Sequence, residues 1–133
     1  MKNILTEIES RAMELLLHGD DPVLEILREQ LRVSKVITRE FTGVGFFTYF
    51  KVPENTKRIE GNKSFKFGDV EAEIEGLKDG AGFLLHVEKG ALDVLEGYSY
   101  DESWPSDIRT FKVSYIHGPG RDISSLRKKW SGD

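Results

Sequence analysis

The chain has 133 residues, of which 38% are hydrophobic, 11% aromatic and 32% charged, with a net charge of −4. That supplies apolar residues for one substantial core and too many aromatics for a disordered chain, while the negative balance disfavours nucleic-acid phosphate and anionic membrane surfaces as partners. Cysteine is absent, which excludes disulfides, thiolate nucleophiles and Cys-ligated zinc. No apolar run approaches the roughly 18–20 residues that span a bilayer, and Glu7 and Glu9 interrupt any secretory leader. One domain over residues 1–133, cytoplasmic and without a membrane span, is expected.

In chain order, Ile4, Ile8, Ala12 and Leu15 recur at helical spacing and predict a first helix from about Asn3 to His18. Thr6 with Glu9 three residues on is a capping-box pattern that starts such a helix slightly later, and Gly19 is placed to end it. Asp20, Asp21 and Pro22 then open a second helix, whose apolar stripe is Val23, Leu24, Leu27 and Leu31. The link is so short that the two helices form a hairpin.

Period two takes over after Arg32. A first strand is expected over 33–41, with Ile37, Arg39 and Phe41 on one face. Phe41–Pro53 follows as a strand rich in aromatic and β-branched residues, opened by glycines and closed by proline. Its apolar residues fall on both parities, with Phe47 and Tyr49 opposite Phe46 and Phe50, so it is expected at the centre of the sheet with both faces covered. A polar loop runs over 53–64. Beyond it Val70, Ala72 and Ile74 alternate with Asp69, Glu71, Glu73 and Glu75, an apolar face backed by a stripe of carboxylates. Residues 82–88 return as a strand with Phe83, Leu85 and Val87 inward, Lys89-Gly90 turns, and 91–100 forms the next strand, with Gly97 as a candidate bulge. Asp101 to Asp107 is an acidic loop around Trp104-Pro105, and 108–116 is a last strand with Phe111, Val113 and Tyr115 on one face. From about residue 121 the chain reads either as a short basic helix over 123–130 or as a partly ordered tail. Helices first and hairpin-linked strands after predict an α+β protein: an N-terminal helix hairpin packed on an antiparallel sheet of about five or six strands.

Gly43-Val44-Gly45-Phe46-Phe47 is echoed by Gly80-Ala81-Gly82-Phe83-Leu84. Both copies lead into strands, whereas a phosphate-cradling loop leads into a helix, so the glycines are read as turn and close-approach devices and no nucleotide cofactor is expected. His18, His86 and His117 lack the spacing of a zinc site, and no nucleophile elbow occurs, so no metal or catalytic set is assigned. The sharpest functional feature is the carboxylate stripe Asp69, Glu71, Glu73 and Glu75, which together with Asp101, Glu102 and Trp104 of the aromatic-acidic stretch makes a docking surface for a basic protein. The alternative is a small-molecule or catalytic pocket between helices and sheet lined by Tyr49, His86, Tyr98, Arg109 and Tyr115. Association of copies through an open sheet face is a third reading.

The combined pattern Gly43-x-Gly45-Phe46-Phe47-Thr48, Gly80-x-Gly82-Phe83-Leu84-Leu85, Leu95-Glu96-Gly97-Tyr98 and Trp104-Pro105 resembles small uncharacterised bacterial single-domain proteins, some of which accompany polymorphic toxins as immunity proteins. What the resemblance implies is a bacterial cytosolic binding protein, an inhibitor or immunity-like partner, with no catalytic residues to transfer.

Overall fold

The computed structural model describes residues 4–131 and has the expected α+β class: two N-terminal helices, a six-stranded antiparallel sheet and a C-terminal helix packed on it. Helix α1 spans Glu7–Leu16 and is shorter than the periodicity predicts at both ends. Its start is set by the capping box: the Glu9 amide donates to Thr6 Oγ1 (3.3 Å) and the Thr6 amide donates to Glu9 Oε1 (2.7 Å), so Thr6 becomes the N-cap and the apolar Ile4 stands outside the helix. Asn3, the expected first residue, lies outside the described residues. At the other end the last turn of α1 carries no basic residue, and its orphan carbonyls are satisfied from elsewhere in the chain. Tyr115 donates its hydroxyl to Leu15 O (2.6 Å), Arg121 donates to Leu16 O (2.6 Å) and His18 O (2.5 Å), and Arg28 donates to Leu17 O (2.5 Å).

Helix α2 spans Pro22–Val33, capped by Asp21, whose Oδ1 accepts the amides of Val23 and Leu24. Leu24 and Leu27 of the predicted stripe are buried, and so is Gln30. Gln30 donates to Lys57 O (3.0 Å) and Gly90 O (2.9 Å) and accepts the Leu92 amide (2.9 Å). A buried amide with donor and acceptor sides both engaged fastens α2 to one end of the sheet without leaving a polar group unpaired.

The strands are β1 (Lys35–Phe41), β2 (Gly45–Lys51), β3 (Phe65–Ile74), β4 (Ala81–Glu88), β5 (Ala91–Ser99) and β6 (Phe111–Tyr115), in the spatial order β1-β2-β5-β4-β3-β6. Strand β2 is therefore second from an edge, and β5 and β4 hold the centre, which corrects the expected central place of the 41–53 stretch. The meander β3-β4-β5 folds back so that β5, not β3, pairs with β2. Lys89 and Gly90 both adopt positive φ (50° and 77°), the backbone of a two-residue hairpin turn whose twist matches the strands it joins. Gly97 is not a bulge. It pairs in register with Phe46 and Phe83, and a Cβ there would stand 2.3 Å from the Phe46 ring, so its hydrogen makes room for that ring.

All three helices lie on one face of the sheet. Thr48 of β2 donates its hydroxyl to Glu9 of α1, Gln30 of α2 reaches the β4–β5 turn, and Trp130 of α3 (Ile123–Trp130) packs on Phe65 (5.4 Å between ring centroids) and Phe67 (5.6 Å) of β3. The same-face neighbours by register, Phe46, Phe67, Val70, Phe83, Leu85 and Leu95, are buried beneath them with Met13, Leu16, Leu24 and Leu27. The residues from 123 to 130 form the helix of the two alternatives. Leu126 and Trp130 are buried, and Lys63 Nζ donates to Trp130 O (2.6 Å) at its C-terminal end.

Two buried charges hold α1. Glu9, 1% exposed, accepts Arg39 Nη2 (2.6 Å) and Nε (2.8 Å) from β1. Arg121, 4% exposed, makes a two-pronged pair with Asp69 (2.9 and 3.1 Å) and lies over the rings of Tyr115 and Phe67. Removing Glu9 strands a buried guanidinium: Glu9→Ala is expected to lower unfolding free energy by about 3 kcal/mol in urea titrations, while Glu14→Ala on the exposed face of α1 changes it by less than about 0.5 kcal/mol. Trp130→Ala is expected to cost about 3–5 kcal/mol by the same measurement, because a cavity replaces an aromatic packed on two others.

Candidate functional site

Strand pairing dictates what the helix-free face displays, because residues opposite one another in register point the same way. One row across it runs Thr38, Tyr49, Val94, His86 and Lys66. The next runs Glu40, Phe47, Glu96 and Leu84, and a third runs Gly45, Tyr98, Gly82, Glu71 and Ser114. Glu73 beside Lys112 continues the pattern at the β3–β6 edge. Phe47, Tyr49, Leu84, His86, Glu96 and Tyr98 are each half-buried, Val94 is buried, and Tyr100 stays exposed.

These side chains order one another. Tyr49 donates its hydroxyl to Glu40 Oε1 (2.6 Å), and His86 Nε2 lies 3.2 Å from Glu96 Oε1. Tyr98 lies flat across Gly82, where a Cβ would meet its ring at 2.6 Å, and packs edge-on against Tyr100 with centroids 5.7 Å apart. The hydrogen bond to Glu40 holds the Tyr49 hydroxyl above its ordinary pKa, and burial followed by the neighbouring Tyr100 does the same for Tyr98. Both phenols are therefore protonated donors at neutral pH. The face intersperses aromatic surface with carboxylates, Glu96 between Phe47 and Leu84 and Glu40, Glu71 and Glu73 to either side.

The predicted acidic stripe is divided. Glu71 and Glu73 belong to the helix-free face, and with Glu75 and Asp79 they line a groove of about 600 Å³ that also takes in Lys78 and Lys112. Asp69 does not belong to the stripe. A register shift between Phe67 and Val70 puts both of those residues on the helix side, and Asp69, within the bulge, pairs with the nearly buried Arg121. Glu102 is committed to the backbone: its carboxylate accepts the amides of Lys78 (2.9 Å) and Asp79 (3.0 Å) and so clamps the β3–β4 turn. Asp101 is exposed at a positive φ of 64°, beside that clamp. Trp104 is half-buried, edge-on to Phe46 at 5.4 Å, with its amide bonded to Gly43 O.

The five residues read as a possible pocket do not converge between helices and sheet. Tyr49, His86 and Tyr98 share the face turned away from the helices, Tyr115 is on the helix side with its hydroxyl on Leu15, and Arg109 is exposed in the loop before β6, paired with Asp107 (2.8 Å). Phe47, Leu84 and Glu96 complete the face; the Phe47–Tyr49 side of its strand is legible in the sequence as a second apolar face, whereas Leu84 and Glu96 carry no such signal. The signal was the double parity of 41–53, which marks a strand apolar on both sides but does not say whether protein covers both. Glycine behaves as expected in the echoed pair, with Gly43 (φ 92°) and Gly80 (φ 73°) both in turn conformations.

No family model matches the chain, and no curated protein or solved structure is similar to it.

The two amides on Glu102 hold its carboxyl below the usual glutamate range. A pKa lower in the folded than in the unfolded chain contributes stability above the unfolded value, lost as pH falls through the folded one. Amide resonances of Lys78 and Asp79 are accordingly expected to titrate together, with a midpoint below that of an ordinary glutamate, and Glu102→Gln is expected to abolish the step.

Proposed function

We propose that this chain is a non-enzymatic protein-binding module, inhibitor-like or immunity-like, that docks a basic protein on the helix-free face of its sheet. The observation that carries this reading is the composition of that face: Phe47, Tyr49, Leu84, Tyr98 and Tyr100 set among the carboxylates of Glu40, Glu71, Glu73 and Glu96. Aromatic side chains give large contact area at little entropic cost and dominate interface energies. The carboxylates accelerate encounter with a cationic partner and reject acidic ones. The sheet beneath is fixed on its other side by helices, so the face is pre-organised and little ordering opposes binding. The resemblance to immunity-type proteins is compatible with such a role, and the net charge of −4 favours a basic partner.

The test is affinity capture followed by titration of the captured partner as a purified protein. Tyr49→Ala with Tyr98→Ala, and separately Glu71→Lys with Glu73→Lys, are each expected to weaken binding at least about tenfold, the cost of losing one or two interface anchors. Glu25→Lys on the exposed side of α2 is the control and is expected to leave affinity unchanged. Affinity should also fall with added salt in the wild type and less so in the lysine variant. Wild-type affinity in both face variants, loss of binding in the α2 variant, or a captured partner that is another copy of this chain would each overturn the reading.

A further inference from the structure

On the opposite side of the sheet, where α1 begins, a cleft of about 320 Å³ opens between the α1 N-terminus, the β1–β2 hairpin and the loop leading to β6. Its size is at the lower end of the range of about 300–1,000 Å³ typical of small-molecule sites. The walls are Ile8, Phe41, Phe46, Trp104, Ile108 and Phe111, and the polar side is Glu9 with Arg39. Phe41 is 70% exposed at the rim, an aromatic side chain left in water at the mouth of an aromatic cleft.

The hydrogen-bond inventory says what kind of molecule suits it. Glu9 has no acceptor capacity to spare: Oε1 takes the Thr6 amide and Arg39 Nη2, and Oε2 takes Arg39 Nε and the Thr48 hydroxyl. Arg39 spends Nε on Glu9 and Thr48 and Nη2 on Glu9 and Ile4 O (2.9 Å). Its Nη1 has no hydrogen-bond partner among the described residues and keeps access to solvent, the Arg39 side chain being 17% exposed and no buried side-chain donor among those residues being unsatisfied. The Glu9–Arg39 pair therefore offers a donor and no spare carboxylate lone pair. Its charge is already balanced, because the Arg39 cation is matched by Glu9, and a second carboxylate, Glu7, lines the cleft.

We infer that this cleft is a binding site for a small, neutral, planar aromatic molecule bearing one carbonyl group, its ring between Phe41 and Trp104 and its carbonyl oxygen accepting from Arg39 Nη1. A carboxylate ligand is disfavoured: its charge finds no uncompensated cation, one oxygen is left unpaired in an apolar site, and Glu7 repels it. An ammonium ligand meets the Arg39 donor on the inner polar side, where it needs acceptors, and finds a carboxylate only at the exposed Glu7, where water screens the attraction. The site is separated from the proposed protein-docking face by the thickness of the sheet, so the two readings stand or fall independently.

Benzamide, benzoate and benzylamine, nearly identical in size, are the probes, read by amide and indole N–H chemical shifts of the full chain. Benzamide is expected to shift Ile8, Phe41, Ile108 and the Trp104 indole, with saturation at millimolar concentration, and benzoate and benzylamine to bind at least about tenfold more weakly, the loss expected for one unpaired or mispaired charged group. Phe41→Ser, which changes an exposed side chain, is expected to weaken benzamide about fivefold, the equivalent of one aromatic contact. In Glu9→Met with Arg39→Met the donor is gone while apolar bulk remains, and the preference for benzamide over toluene should vanish. Absence of these shifts up to the solubility limit of benzamide, equal or tighter binding of benzoate or benzylamine, or unchanged affinity in Phe41→Ser overturns the assignment.

Discussion

Helix α1 is pinned to the sheet at both ends by charges withdrawn from water, and the remaining architecture follows from those two attachments. At its start Glu9 is at once the third residue of a capping box and the buried partner of Arg39 and Thr48, so one carboxylate closes the helix and fixes β1 and β2 beneath it. At its end Arg121 takes the carbonyl of Leu16, the last residue of α1, and that of His18 just beyond it, pairs with Asp69 in the β3 bulge and stacks on Tyr115 and Phe67. A buried charge is tolerable only when its hydrogen-bonding capacity is met, and both of these are well supplied. Such pairs add less to net stability than their short distances suggest, because desolvation offsets the Coulomb gain. What they impose is geometry, since each accepts few alternative placements of its partners.

Fixing α1 in this way puts every helix on one side of the sheet. Arg28 of α2 caps Leu17 and Gly19, Arg127 of α3 pairs with Asp21, and Gln30 holds the β4–β5 turn, so α2 and α3 follow α1 onto the same layer. The second face is left to its own side chains. Tyr98 lying over Gly82, Tyr49 on Glu40 and His86 beside Glu96 are lateral contacts within that face, which lower its apolar exposure without burying it. A two-layer protein thus has a helix-backed sheet whose far side no helix covers, and one of its clefts lies where the helix layer ends, at Phe41 and Trp104.

The β3 bulge shows how a single extra residue redistributes function. Were β3 regular, Asp69 would stand in line with Glu71 and Glu73. Displaced by the bulge, it becomes the counter-ion of Arg121 and leaves the acidic stripe shorter, confined to the end of β3 that leads into the β3–β4 turn. Glu102 is diverted similarly, from a candidate partner-binding acid to a clamp on two amides of the β3–β4 turn.

Local chemistry written in the residues was legible directly. The Thr6–Glu9 box, Asp21-Pro22, the Lys89-Gly90 turn and the alternation at Val70, Ala72 and Ile74 each encode short-range geometry, so α+β class, helix-first order and an antiparallel sheet could be read from them. Strand order was not legible, because apolar residues on both sides of β2 look the same whether a helix or water lies above them. Bulge position was equally hidden: neither Gly68 nor Asp69 announces that register slips there rather than at Gly97. The candidate sites belong to this second category. Tyr49, His86 and Tyr98 stand out one by one by their chemistry and Phe47 by the double parity of its strand, but Leu84 and Glu96 do not, since membership of one face depends on pairing between strands up to about fifty residues apart, which only the tertiary structure decides.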